Sequence, residues 1–276
     1  MAEDAWADLA GPFVDGHYGS LRGRVRTHVV DQHLRWHLAP PPARIVDVGG
    51  GAGHQSIPLA RDGYEVTIVD PSDAMLERAA QRLASEAPDV AGRVRLVRSD
   101  AEEAPERLGA GSFAGVLCHG VIMYVEEPRP FVAALAALAE TGGIVSLVAK
   151  SVHNLATRPA LQGDWATALQ AFGSHRQING LGVDTRADSL EDLTRVMAEA
   201  GVERAAWYGV RLFTDGWTAD RPVGDSEPEL LAVELEASCR DPYRSMSRLF
   251  HIVGVRVGNV AVSEGNIPGD SADAGG

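Results

Sequence analysis

Five short runs rich in β-branched residues, "ARIVDVG" (43–49), "YEVTIVD" (64–70), "VRLVRSD" (94–100), "FAGVLCHG" (113–120) and "GIVSLVAK" (143–150), recur with helical segments between them. This alternation leaves few folds open. Neighbouring parallel strands must be joined by a long crossover, and a helix serving as that crossover covers the faces of the sheet. The intervening stretches "SDAMLERAAQRLASEA" and "RPFVAALAALAE" place apolar residues at helical spacing, as such crossovers require. A later helix, "DSLEDLTRVMAEAG", opens on a capping-box pattern at Asp188 and Glu191 and stops at Gly201. It leads to two more strand-like runs, "AAWYGVRLF" (205–213) and "RLFHIVGVRV" (248–257). The expectation is an α/β fold, a doubly wound sheet of seven strands, mostly parallel, with the last strand antiparallel.

With 276 residues, the chain reads as a single domain over 1–262, with a helical cap over 1–40. Residues 263–276, "SEGNIPGDSADAGG", hold too few apolar groups to pack and are expected to form a disordered tail. Residues 151–187 fit the alternating plan least well. An insertion at the end of the fifth strand lies over the crevice where open α/β sheets bind ligands, so this segment is the candidate lid; the alternative is a decoration with one helix near "PALQGDWATALQAF".

Charge and cysteine content narrow the classes of partner. Asp plus Glu at 38 outnumber Lys plus Arg at 25, a net charge of −13 that does not advertise nucleic acid or an anionic membrane without a local basic patch. Cys118 and Cys239 form neither a metal cluster nor a disulfide framework, so no metal site and a reducing cytoplasm are expected. The acidic start "MAEDAWADLA" lacks a signal-like apolar core, and the longest uncharged apolar stretch, "FAGVLCHGVIMYV", is too short to span a membrane. Oligomeric state is not legible.

The first run ends in "VDVGGGAGH", where Gly49, Gly50, Gly51 and Gly53 strip side chains from a turn that something must approach. The dinucleotide fingerprint G-x-G-x-x-G is not met: counting from Gly49 places His54 at the third glycine, and counting from Gly51 places Ser56 there. What remains is D-x-G-G-G-x-G, beginning at Asp47, with acidic residues at the ends of the next strands. Asp70 can hydrogen-bond both ribose hydroxyls of a nucleoside. Asp100 can accept from an adenine amino group while the Ala101 and Glu102 backbone meets the ring edge, or it can simply cap the next segment. His119 falls where the crevice should open, as a core residue or as a catalyst. This combination resembles the glycine loop of class I S-adenosylmethionine-dependent methyltransferases, a Rossmann-like fold.

Further segments sharpen the resemblance. "YGSLRGRVR" before the first strand, "HGVIMYVEEP" after the fourth, "GVRLF", and "ELEASCRDPYRSMSRLFHI" with Tyr243, Arg248 and His251 resemble, in the same order, the bacterial tRNA 5-carboxymethoxyuridine methyltransferase family. The resemblance runs from about Tyr18 to Ile252. It implies methylation, by S-adenosylmethionine, of the carboxylate of a carboxymethoxy group on the wobble uridine of tRNA. It also implies that Arg26 contacts the cofactor's carboxylate, Gly49 and Gly50 the methionine side, and Asp70 the ribose. Ala101 and Glu102 would then meet the adenine edge, His119 the sulfonium side, and Arg211 the substrate carboxylate.

The lid differs from the family pattern, which carries a run of lysines where this chain has "GSHRQINGLGVDTRAD" with only His175, Arg176 and Arg186. Phosphate contacts to RNA would have to come from elsewhere, for example from Arg22, Arg24 and Arg26, unless these are a solvated helical face with one cofactor-binding arginine. A small carboxylate or phenolic metabolite therefore stays open as the acceptor, and so does a nucleotide-binding protein without catalysis, against which the intact loop with Asp70 argues. A carboxylate acceptor is already ionised at neutral pH and needs no base. A phenol, amine or ring carbon would need one, with His119 or Tyr124 as candidates. The alternative for Arg211 is a salt bridge to a glutamate of "VELEA".

Overall fold

The computed structural model describes residues 10–217 and 222–258. The expected tail, 263–276, lies outside the described residues. The five early runs form β1 (Arg44–Val48), β2 (Glu65–Asp70), β3 (Val94–Arg98), β4 (Phe113–His119) and β5 (Ala139–Lys150). With β8 (Val202–Val210) and β9 (Leu249–Arg256) they make one seven-stranded sheet in the order β3-β2-β1-β4-β5-β9-β8. All pairs from β3 to β5 are parallel, and β9 runs antiparallel to both of its neighbours, as expected.

Helices cover both faces, so the central strands read as continuous apolar runs rather than alternating ones. On one face Phe131, Leu135 and Leu138 of the helix Pro128–Leu138 pack with Leu193, Met197 and Ile252. On the other, Val25, Val29 and Leu34 of the helix Leu21–His37 pack with Leu59, Ile68, Leu117 and Val253. The strand order turns back between β1 and β4, and the crevice at the carboxyl ends of these strands is where the glycine loop, Asp70 and His119 converge.

Three local expectations are corrected. β8 stops at Val210 instead of running through Phe213, because the Glu234 carboxylate accepts from the Leu212 and Thr214 N–H groups and from the Thr214 hydroxyl, which draws the chain out of the sheet. The cap of the helix Leu190–Glu199 is Ser189, whose Oγ accepts from Asp192 N, one residue later than the Asp188 and Glu191 pattern. In 151–187 the one helix that the alternative reading placed near "PALQGDWATALQAF" is two, Thr157–Leu161 and Trp165–Ala171, separated around Gly163 at φ +79°. The same segment contains a hairpin of β6 (Arg176–Ile178) and β7 (Asp184–Arg186) that was not foreseen, its turn held by Asn179 Oδ1 accepting from Leu181 N and Val183 N. Among the described residues no helix is long and apolar enough to cross a membrane, and no group of three or more His, Cys, Asp or Glu is placed to hold a metal ion.

Candidate active site

A cavity of about 820 Å3 opens at the carboxyl edge of the sheet and has two halves of different character. The first half is made by the ends of β1, β2, β3 and β4. Gly49 N and Gly50 N donate to Val69 O, tying the loop to the next strand. Gly49 has φ +71°, and a Cβ there would stand 2.3 Å from Val121 Cγ2, so no side chain is tolerated. Gly51, at φ +53°, lines the cavity and donates its N–H to Asp70 Oδ2 at 3.0 Å; Asp70 Oδ1 accepts from Ser72 N at the same distance. These bonds aim the Asp70 carboxylate while leaving lone pairs for ribose hydroxyls. Asp100, Ala101 and Glu102 line the wall beyond it.

Asp47, Gly50 and Gly53 do not line the cavity; they stand one layer behind it. Asp47 is 2% exposed, accepts from Ser56 Oγ at 2.6 Å, and has its carboxyl pushed up to about 6 by burial. Its role is to brace the loop from below. Arg26 does reach the cavity. Its guanidinium donates to His119 O and to Tyr18 OH and forms no salt bridge among the described residues, although the residue is only 7% exposed. A buried cation without a carboxylate partner suits the carboxylate of S-adenosylmethionine, and Gly51, Asp70 and the Ala101–Glu102 backbone suit its nucleoside.

His119 heads a buried relay through the sheet. Its Nε2 meets Ser146 Oγ at 2.8 Å, Ser146 meets His251 Nε2 at 2.7 Å, the Nδ1 atoms of His251 and His33 are 3.1 Å apart, and His33 Nε2 meets Ser238 Oγ at 2.8 Å. Ser238 gives its own proton to Leu235 O, so each ring can take only one tautomer. His33 donates from Nε2, His251 donates from Nδ1, Ser146 donates to His251, and His119 donates from Nε2. Burial keeps all three rings neutral: His33 is lowered to about 2, His251 to about 3, and His119 well below the usual histidine range. Tyr124 lines the cavity, accepts from Asn179 Nδ2 at 3.1 Å, and has its phenol raised by burial. Neither sequence candidate for a base is tuned toward accepting a proton.

The second half of the cavity is basic. Arg22, Lys150, Arg158, Arg211 and Arg248 line it, from five separate stretches of chain. Arg211 is 7% exposed and holds φ +62°, the one non-glycine residue in the left-handed region among those described. Its backbone turns where Glu234 pulls the chain away, and its guanidinium faces the cavity and pairs with Asp215. The partner is thus Asp215, not a glutamate of "VELEA". Arg158 donates to the Asp215 carbonyl at 3.1 and 3.2 Å and approaches its carboxylate at 3.4 Å. Burial alone would raise the Asp215 carboxyl, but Arg211, Arg158 and Arg248 together hold it below the usual range. Of the cluster Arg22, Arg24 and Arg26, the first and third face the cavity and Arg24 pairs outside with Glu227 at 2.7 Å. Sequence reasoning gave Arg248 no role and missed Lys150 and Arg158; the one signal for Lys150 is that it is the only lysine of the chain.

Comparison with known proteins agrees with this geometry. Residues 46–145 match a model of a methyltransferase domain. The chain is 28% identical over 255 residues to the tRNA 5-carboxymethoxyuridine methyltransferase of Escherichia coli (strain K12), covering 91% of this chain and 96% of that protein. It is 34% identical over 110 residues to a ubiquinone biosynthesis O-methyltransferase of Xanthomonas campestris pv. campestris (strain B100), covering 40% of this chain and 44% of that one. Among solved structures, magnesium protoporphyrin IX methyltransferase from Synechocystis PCC 6803, with bound SAH, superposes at a TM-score of 0.62 with 19% identity, over 92% of this chain and 97% of the other. The chain is an S-adenosylmethionine-dependent methyltransferase built on the class I methyltransferase fold, and over 91% of its length it is similar to the tRNA 5-carboxymethoxyuridine methyltransferase of Escherichia coli.

Proposed function

We propose that this methyltransferase esterifies a carboxylate, and that the carboxylate is the carboxymethoxy group on the wobble uridine of tRNA. One observation carries the reading. The acceptor half of the cavity offers a buried guanidinium, Arg211, where a base-dependent reaction would need a tuned base; burial leaves the neutral His119 ring a weak base and keeps the Tyr124 phenol protonated. The resemblance over 91% of the chain to an enzyme named for this reaction supports it.

Bound S-adenosylmethionine supplies an electrophilic methyl group on a sulfonium. Arg26 would hold its carboxylate, Gly49 its methionine side with Gly50 supporting the turn from behind, Asp70 the ribose, Asp100 the adenine amino group, and the Ala101 and Glu102 backbone the ring edge. The neutral ring of His119 would border the sulfonium without adding positive charge. Arg211 orients the acceptor carboxylate through its planar fork. That carboxylate, with a pKa of ~4, is ionised at neutral pH, so alignment of donor carbon and acceptor oxygen is the main catalytic demand. Residues 151–187 act as the lid: Gln177, Ile178, Asn179, Gly180 and Leu181 of the hairpin line the cavity. The cytoplasm, where tRNA is modified, is the compartment this function implies.

The test is transfer of a labelled methyl group from S-adenosylmethionine to total tRNA from a strain lacking the gene, beside a small-molecule extract of the same cells. Label in the tRNA fraction is expected. Label in the extract alone would replace the tRNA reading with that of a small carboxylate or phenol.

A further inference from the structure

The basic half of the cavity holds more positive charge than one carboxylate acceptor uses. Lys150, the chain's single lysine, closes β5 at 4% exposure, and its Nζ donates to Thr185 Oγ1. Arg248 is 6% exposed; one arm of its guanidinium reaches Gln177 Oε1, while Nη1 is buried with no hydrogen-bond partner. Arg211 Nε is likewise buried without a partner. Asp215 is the one carboxylate that the described residues bring into hydrogen-bond contact with this group, and Arg211 and Arg158 share it. With Arg211 assigned to the acceptor carboxylate and Asp215 set against Arg158, Lys150 and Arg248 line the cavity with no carboxylate in hydrogen-bond contact among the described residues, Asp184 and Asp215 acting on them only from a distance.

Burying cations side by side is costly unless something offsets them. The strain is visible in the groups themselves: burial and then the nearby Arg248 and Arg211 push the Lys150 ammonium down to about 8, and burial pushes Arg248 down to about 10. A chain with 24 arginines and one lysine has used arginine nearly everywhere else for its cations. A compact ammonium beside a guanidinium edge meets a tetrahedral oxyanion from two sides, a geometry that a planar carboxylate does not need.

We infer that Lys150 and Arg248, with Arg158 at the rim, form a phosphate subsite beside Arg211, so that the substrate presents two anions: the carboxylate that is methylated and a phosphate of the nucleotide that carries it. This rests on the carboxylate reading above and deepens it. The minimal substrate is then a nucleotide rather than a nucleoside or a simple carboxylic acid.

The single lysine makes the test direct, since protein labelled with 13C at lysine Cε gives one lysine signal. The enzyme with S-adenosylhomocysteine is titrated at constant ionic strength with inorganic phosphate, uridine 5′-monophosphate, uridine, acetate and an anticodon stem-loop. The phosphate-bearing probes are expected to shift the Lys150 signal and raise its titration midpoint, while uridine and acetate leave it unmoved. Arg248→Gln, or Arg158→Gln if that variant fails to retain S-adenosylhomocysteine binding, should weaken the response at least tenfold. A response to the mononucleotide assigns the phosphate to the target nucleotide, and one to the stem-loop alone assigns it to the neighbouring backbone. No response to any phosphate, or an equal one to acetate, overturns the subsite. Methyl transfer to 5-carboxymethoxyuridine, its 5′-monophosphate and the modified stem-loop is measured in parallel. A lysine response with no methylation of any of these rejects the wobble-uridine reading and keeps the phosphate site.

Discussion

Replacing Arg211 by lysine and by alanine separates charge from geometry at the methyl acceptor. The left-handed backbone at φ +62° is equally unfavourable for all three residues, so strain does not distinguish the variants. Asp215 keeps Arg158 as a partner after the change, which limits the stability loss. A charge-assisted hydrogen bond contributes about 1.5 to 3 kcal/mol. At roughly 1.4 kcal/mol per factor of ten, losing it lowers kcat/KM about 10- to 100-fold in Arg211→Ala. Arg211→Lys keeps the charge and loses the fork, so its loss should be smaller, about tenfold. Steady-state methyl transfer is the assay, with S-adenosylhomocysteine affinity by calorimetry as the control for folding; that affinity should stay near wild type. Full activity in Arg211→Ala would refute the assignment, and so would a fall in cofactor affinity that accounts for the whole loss.

Other expectations follow from the same geometry. Asp70→Ala removes the acceptor for Gly51 N, Ser72 N and the ribose, and should weaken cofactor binding roughly ten- to a hundredfold; calorimetry showing unchanged affinity would reduce Asp70 to a strand-end brace. Acceptor affinity should decline as pH rises through about 8, because Lys150 loses its proton there, and kcat should hold down to about pH 5, because a carboxylate with pKa ~4 protonates only below that. A pH–rate profile falling with a midpoint near 6 to 7 on the acid side would instead indicate a base. Ring-nitrogen NMR should find His119 and His33 as Nε2–H and His251 as Nδ1–H, all neutral at pH 5; His251→Phe should disturb the His119 tautomer and lower kcat more than it raises KM.

The sheet was legible because its evidence is local: each strand is a short β-branched run, and the glycine loop and acidic strand ends follow directly in sequence. Arg26, Gly49, Gly51, Asp70, Asp100, Ala101, Glu102, His119, Tyr124 and Arg211 do meet in one cavity, although the sequence did not distinguish Asp47, Gly50 and Gly53, which lie behind its wall. Of the basic half, Arg22 and Arg211 are legible in sequence, but Lys150, Arg158 and Arg248 are not, because the fold gathers the five from separate segments and no run of basic residues marks them. Asp215, the counter-charge of Arg211, depends on a turn that Glu234 creates from a distant helix. The hairpin within 151–187 is not legible in sequence because β6 and β7 are three residues each, too short for a periodic signal.

The proposed acceptor is a carboxylate on tRNA. Purified tRNA carrying 5-carboxymethoxyuridine is incubated with the enzyme and S-adenosylmethionine, digested to nucleosides and weighed by mass spectrometry before and after mild alkali. The modified nucleoside should gain one methyl group, and alkali should remove it, as it would a methyl ester. A methyl group that survives alkali, or that lies on any other nucleoside, would contradict it.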